Sequence, residues 1–259
     1  MATTARIVPW RRGARWLSEG WQLFRAAPLT WIALVFAYWM LMTGVSLVPK
    51  VGIALASVLV PPLSVGFMAV SRAAAQRTTP AAPLLFSGFR DNLGPQLTLG
   101  GVYLVCLALL LAASTLADGG ALARWMLSGE QPDPAVVQSG SFLVALTTAA
   151  ALYVPIMMAF WFAPVLAAWH GVGAAKALFF SFFACLMNWR AFLVYGAFAA
   201  LITVVAPLFV LNALISVFAG ELRIQAVSLV FPLLLVILPT LLASFYASYR
   251  DVFGPTEPG

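Results

Sequence analysis

Charge is what this sequence has least of. Only 8% of its 259 residues are Asp, Glu, Lys or Arg, and histidine occurs once. Soluble domains run near about 25% charged residues, so a chain that is 63% hydrophobic cannot hide its apolar surface in a core surrounded by water. Lipid is the expected solvent. The net charge of +6 does not read as a nucleic-acid footprint, because no stretch is long and polar enough to fold as a soluble basic domain.

The same scarcity excludes much chemistry. Ion-coupled carriers and pumps keep an ionisable side chain in mid-membrane, whereas here every Asp and Glu falls in a connection or an end segment. His170, beside Trp169 and Gly171, has no partnered carboxylate, serine or cysteine motif of the kind acid–base catalysis needs, and reads as a satisfied interfacial side chain. Cys106 and Cys185 lack CxxC or Cys/His spacing, which argues against a disulfide or a metal site, and each reads as a small buried hydrophobe. No Walker loop, dinucleotide glycine pattern, HExxH or GxSxG occurs. The expectation is therefore no enzyme, no cofactor and no metal.

What the chain does have is long apolar runs. A bilayer core takes about 20 apolar residues in helical form, and such runs lie at 29–48, 51–71, 97–116, 142–169, 191–218 and 224–249. The fold class expected is all-α, a polytopic membrane bundle of about six transmembrane helices. Its organisation is an Arg/Trp amphipathic segment at 1–28, a six-helix domain at 29–249 and a short tail at 250–259. The first run follows an arginine-rich segment without a small-residue cleavage site, so it reads as an anchor rather than a signal peptide. The least defined boundary is the first hairpin, where only Pro49 and Lys50 separate two runs.

Positive residues are retained on the cytoplasmic side of a membrane. Arg6, Arg11, Arg12, Arg15, Arg25, Arg72, Arg77, Arg90, Lys176, Arg190 and Arg250 fall on one side of the predicted topology, against Lys50, Arg124 and Arg223 on the other. Both ends are expected in the cytoplasm of a bacterial cell, with the acidic loop of Asp118, Glu130 and Asp133 in the periplasm.

An internal repeat runs through the even-numbered spans. Pro-x-Leu/Met-x-x-x-Phe/Trp-x-Ala occurs at Pro61–Ala69, Pro155–Ala163 and Pro239–Ala247, and the first and third copies are followed by Arg72 and Arg250 at the same distance. The predicted consequence is three related hairpins. Each odd span is preceded by an aromatic and aliphatic stretch ending in a helix breaker or capping residue: residues 21–25 before Pro28, 85–90 before Asn92 and 178–186 before Asn188. These read as three interfacial helices on the cytoplasmic side.

The first is the best defined, with Trp10, Ala14, Leu17, Trp21 and Phe24 at helical spacing and Arg11, Arg12, Arg15, Ser18, Glu19 and Gln22 elsewhere on the wheel. Trp10, Arg11, Arg12, Arg15, Trp16 and Trp21 are the candidate membrane-interface residues. They suit a helix in the headgroup plane beside anionic lipid, against the alternative that the segment packs on the protein's own loops. Pro61, Pro155 and Pro239 are candidate kinks facing the bundle, since lipid does not satisfy a freed carbonyl. Ala159, Ala163 and Ala167 form a candidate packing stripe with Gly171, as Ala243 and Ala247 do in the last span. Asn212, Thr147, Thr148, Thr203 and Ser64 are the polar groups expected at depth, as interhelical hydrogen-bond partners.

The segment GWQLFRAAPLTW and the run FAPVLAAWHGVGAAKALFFSFFACLMNWRAFLVYG resemble a family of uncharacterised bacterial six-helix inner-membrane proteins over nearly the whole chain. The block from Phe162 to Gly196 is the most specific part. More remotely, the hairpins are similar to the membrane regions accompanying glycerophosphodiester phosphodiesterases, without their soluble catalytic domain, so the resemblance implies a fold and no catalytic activity. The function expected is a non-enzymatic membrane component that organises lipids or holds a membrane-protein partner. The alternative is a permease or carrier for an apolar or lipid-like molecule, and an intramembrane enzyme would require polar groups converging near His170 or Asn212.

Overall fold

The computed structural model describes residues 4–217 and 230–254, and among them every regular element is helical. In chain order these are α1 (Arg12–Ala26), α2 (Pro28–Ser46), α3 (Gly52–Ala75), a 3-10 helix (Ala82–Phe89), α4 (Leu93–Asp118), α5 (Ala121–Ser128) and α6 (Pro134–Val137). There follow α7 (Gly140–Phe160), α8 (Ala163–Trp169), α9 (Ala174–Met187), α10 (Trp189–Ala200), a π-helical turn (Leu201–Val205), α11 (Ala206–Val217) and α12 (Val230–Phe253). Six segments are long and apolar enough to cross a membrane: Pro28–Ser46, Gly52–Ala75, Leu93–Asp118, Gly140–Trp169, Trp189–Ser216 and Pro232–Phe253. The all-α, six-span expectation holds. The expected end of span five at Phe218, the start of span six at Ile224, and Arg223 lie outside the described residues, as do 1–3 and 255–259.

The ambiguous first hairpin is two helices. Lys50 turns the chain with a φ of 69°, and Gly52 follows so closely on α2 that a Cβ there would lie 2.6 Å from the Val45 carbonyl oxygen. That left-handed residue and the side-chain-free contact reverse the chain between Ser46 and Gly52. At the other end α12 runs to Phe253, past the predicted limit at Tyr249.

The chain divides into two compact units. One comprises Met1–Met40, Val65–Ser87 and Leu186–Gly259, the other Leu41–Ser64 and Gly88–Cys185. In the first, α1 packs against α10 and α12. Gly13 meets the Ala191 carbonyl and the backbone nitrogen of Tyr195, and Gly20 meets the Thr240 carbonyl and Ser244. Trp16 lies 5.2 Å from the Phe192 ring and 5.9 Å from that of Tyr195, and Tyr195 shares a 2.8 Å hydrogen bond with Ser244. Trp31 of α2 stacks on Phe67 of α3 at 6.3 Å and donates its indole N–H to the Leu23 carbonyl at 3.2 Å.

In the second unit α4 packs along α7, with Leu110, Leu122, Phe142, Ala145 and Ala149 buried together. Gln96 donates to the Pro164 carbonyl at 2.7 Å and Asn92 to that of Ala167 at 2.9 Å, so the start of α4 is tied to α8. Asn92 has a φ of 60°, which lets the chain turn from the 3-10 helix into α4.

The proline repeat marks where the three short helices dock. Gly20 of α1 sits on Thr240 and Ser244, just after Pro239. Leu85 of the 3-10 helix packs on Gly66, and Gly88 packs on Pro62, both just after Pro61. Ser181 of α9 bonds Met158 and Phe162, just after Pro155. Each short helix thus seats on an even span within the turns that follow its repeat proline.

Three sequence expectations need correction. Pro155 is exposed, while Pro61 and Pro239 are buried. Pro155 lies inside α7, which continues to Phe160 before the chain restarts as α8 at Ala163. Pro164 is the cause, since it has no N–H for the Phe160 carbonyl and its ring crowds that carbonyl. Ser181 fills the gap, accepting from the Phe162 N–H at 2.9 Å and donating to the Met158 carbonyl at 2.8 Å. Ala163 and Ala167 are buried as expected, but Ala159 is only half-buried and lies across this break, so no continuous alanine stripe exists. Lastly, Asn212, Thr147, Thr203 and Ser64 bond carbonyls of their own helices, at Leu208, Leu143, Ala199 and Pro61, because a short polar side chain reaches the carbonyl three or four residues back with least reorganisation.

Candidate functional site

The polar chemistry of the first unit concentrates around α1. Its buried face is Gly13, Trp16, Leu17, Gly20 and Phe24. Trp16 is 0% exposed, which overturns its assignment as a membrane-interface residue: it is locked into the protein, its ring between α10 side chains and its indole N–H donating to Asp251 Oδ2 at 2.7 Å. Arg12, also an interface candidate, is turned inward. Its guanidinium holds Asp251 through Nε at 2.5 Å and Nη2 at 2.6 Å and reaches Glu19 at 2.9 Å. Glu19 in turn binds Arg250 at 2.6 Å.

The residues before α1 join the same cluster. Arg6 donates to the carbonyls of Arg250 at 3.0 Å and Gly254 at 2.6 Å. Asn188 clips the strap from both sides, accepting from the Val8 N–H at 2.8 Å and donating to the Arg6 carbonyl at 2.9 Å. The sequence offers no local signal for these pairings, whose partners are up to 248 residues apart.

Electrostatics distinguish the cluster's members. The Asp251 hydrogen bonds raise the Arg12 pKa above its ordinary value, outweighing burial. Burial holds the Glu19 carboxyl above the ordinary carboxylate range, and attraction to Arg12 and Arg250 offsets that only in part.

The opposite face of α1 is a different surface. Arg11, Arg15, Ser18, Gln22 and Arg25 are exposed along it, flanked by Trp10 and Trp21, which are 52% and 39% exposed. Arg11 lies 5.3 Å from the Trp10 ring centre and Arg25 6.0 Å from that of Trp21. This is a cationic row edged by aromatic rings, backed by a helix face fixed to the protein.

Elsewhere the candidates thin out. His170 ends α8, half-buried, its backbone N–H on the Leu166 carbonyl, and burial lowers its pKa so that the neutral ring is favoured. Cys185 is buried, which pushes its thiol pKa up and away from reactivity. Among the described residues no group of three His, Cys, Asp or Glu side chains is placed to hold a metal. In the second unit an open cleft of about 670 Å³ lies between Gly94, Pro95 and Thr98 at the start of α4 and Gly173 to Lys176 at the start of α9, with Lys176 its single charged side chain.

No family model matches the chain, and no solved structure matches it; the remoter likeness to membrane regions of glycerophosphodiester phosphodiesterases finds no support there. A protein of Burkholderia thailandensis, described as a probable inner membrane protein, is 43% identical over 258 residues, covering 96% of this chain and 93% of its relative. With six helices of membrane-crossing length among the described residues and that relationship along nearly its whole length, the chain belongs to the family of this probable inner membrane protein.

Proposed function

We propose that the protein is a non-catalytic component of the inner membrane that holds anionic lipid headgroups at the cytoplasmic face, with both ends of the chain on that side. The observation that carries this reading is the outward face of α1. Arg11, Arg15 and Arg25 are exposed in one row beside Trp10 and Trp21, while the Arg12, Trp16 and Asp251 contacts hold the helix from behind. A basic residue near an anionic membrane surface is worth about 1 kcal/mol, and tryptophan favours the boundary between headgroup and acyl chain. A preorganised row of three binds lipid without first ordering the helix. The excess of Lys and Arg on the α1 side supports the orientation.

The test is to purify the full-length protein into lipid discs containing phosphatidylglycerol and phosphatidylcholine and to measure the lipid retained on detergent stripping. Enrichment of the anionic lipid, lost when Arg11, Arg15 and Arg25 are all changed to Gln, is the expected result. Equal retention of both lipids, or no change in the triple variant, would sink the reading. A carrier for an apolar or lipid-like molecule is the second reading, supported by the break between α7 and α8 and by the π turn ahead of Pro207. Saturable flux of such a molecule through proteoliposomes is what would favour it.

A further inference from the structure

Of the short helices that precede odd spans, α9 has the opposite chemistry to α1. Ala177, Ser181, Ala184 and Cys185 form its buried face. Its outward face begins with Lys176 and then carries no charged or polar side chain: Phe179 is 57% exposed, Phe183 42% and Leu186 45%, with Phe182 half-buried beside them. The rings form one ridge, Phe179 and Phe183 lying 4.5 Å apart and Phe182 and Phe183 5.5 Å apart. A helix that faces water shows a polar outer face, and one that is apolar all round belongs in protein or lipid.

Its length decides how it can meet lipid. α9 has 14 residues, which at 1.5 Å each is about 21 Å, short of the roughly 30 Å hydrocarbon core. It therefore cannot cross, and its apolar ridge must be satisfied within one leaflet. Both ends carry the groups that sit at headgroup level. Lys176 lies in the first turn, and Trp189 with Arg190 follows the helix directly, the guanidinium 5.3 Å from the indole centre. Cations and an aromatic ring bracketing an uncharged run match anionic headgroups on either side of an acyl-facing segment.

We propose that α9 is an in-plane membrane helix whose Phe179, Phe182 and Phe183 ridge lies among the acyl chains of a single leaflet. α9 then takes up area in one leaflet alone. The proposal does not depend on α1 selecting anionic lipid.

Full-length protein with Cys106→Ala and Cys185→Ala carries a single NBD label at Phe183→Cys, and in a second preparation at Phe179→Cys, reconstituted in vesicles of phosphatidylcholine and phosphatidylglycerol. Quenching by lipid bearing a doxyl group on the upper acyl chain is expected to remove most of the fluorescence, while aqueous iodide removes little. A matching label at Arg15→Cys is expected to show the reverse order. Strong iodide quenching at 179 and 183 would place the ridge in water. Protection from both quenchers would mean that protein, a second copy or another chain, covers it. Either result overturns the proposal.

Discussion

Trp16 and Asp251, 235 residues apart, meet through a 2.7 Å hydrogen bond from the indole N–H to Oδ2. The same carboxylate takes two hydrogen bonds from Arg12, so one side chain on α12 satisfies three donor groups on two residues of α1. Changing Asp251 to Ala strands a fully buried indole N–H and leaves the half-buried Arg12 guanidinium with Glu19 alone among its two carboxylate partners. Leaving a buried donor without its partner costs about 1–3 kcal/mol, and more where the donor is charged. Asp251→Ala is expected to lower the unfolding midpoint of the protein in lipid discs, and Asp251→Asn to lower it less, because the amide oxygen still accepts from Trp16. Equal midpoints for wild type and Asp251→Ala would show that the cluster does not hold α1.

Gly13 and Gly20 let α1 approach its neighbours at backbone distance. A Cβ on Gly20 would lie 2.8 Å from both the Ser244 Cβ and its backbone nitrogen, and one on Gly13 would meet the backbone of Ala191 and Tyr195, with 2.9 Å to the Tyr195 nitrogen. Backbone cannot rotate away as a side chain can. Gly13→Ala and Gly20→Ala are expected to destabilise by about 1–3 kcal/mol, the usual result of overpacking. Gly44 and Gly196 have no atom within 4 Å of an added Cβ, so alanine there is expected to be neutral or to gain up to about 1 kcal/mol from helix propensity. Thermal unfolding of the four variants in the same lipid separates the two groups.

Those glycines also show what the sequence could and could not say. The six spans were legible because each run exceeds a bilayer's thickness and ionisable groups fall between the runs. The repeat prolines were legible as a pattern, and the structure gives that pattern a meaning, as the docking place of the short helices. The inner face of α1 was misread because glycine scores as a gap in a hydrophobic wheel. Its true stripe, Gly13, Trp16, Leu17, Gly20 and Phe24, is a packing surface in which the gaps matter as much as the rings. The break in span four between Phe160 and Ala163 was not foreseen, for a related reason. A proline's effect falls on the carbonyl four residues before it, and whether the helix bends or stops there depends on partners such as Ser181, which no local pattern reveals. Trp10, Arg11, Arg15 and Trp21 are exposed, and residue type alone made them membrane-interface candidates.

Ser181 supplies the third expectation. Its hydroxyl accepts from the Phe162 N–H and donates to the Met158 carbonyl, the two groups left by the interruption between α7 and α8. Ser181→Ala leaves both without that partner in an apolar setting, at a cost of about 1–3 kcal/mol. Ser181→Thr keeps the hydroxyl and is expected to retain more of the stability. Hydrogen exchange at the Phe162 amide is the direct readout, and protection unchanged in Ser181→Ala would mean that Ser181 does not bridge the break.

Glu19 gives the pH dependence, and its sign differs from that of an ordinary ion pair. Although Arg12 and Arg250 both touch it, burial dominates and holds its pKa above the ordinary value of 4.5. The folded protein therefore binds the Glu19 proton more tightly than the unfolded chain does. Stability from this group is fully present below pH 4.5 and is lost as pH rises through the folded value. Replacing Glu19 with Gln keeps the shape and several hydrogen bonds without the buried charge. Glu19→Gln is expected to be at least as stable as the wild type at pH 7, by a margin of less than about 1 kcal/mol for a pair this near solvent. The two proteins are expected to converge as pH falls towards 4.5. Unfolding midpoints measured from pH 4 to pH 8 test this, and a variant clearly less stable at pH 7 but equal to wild type in acid would show that the attraction of the two arginines outweighs burial.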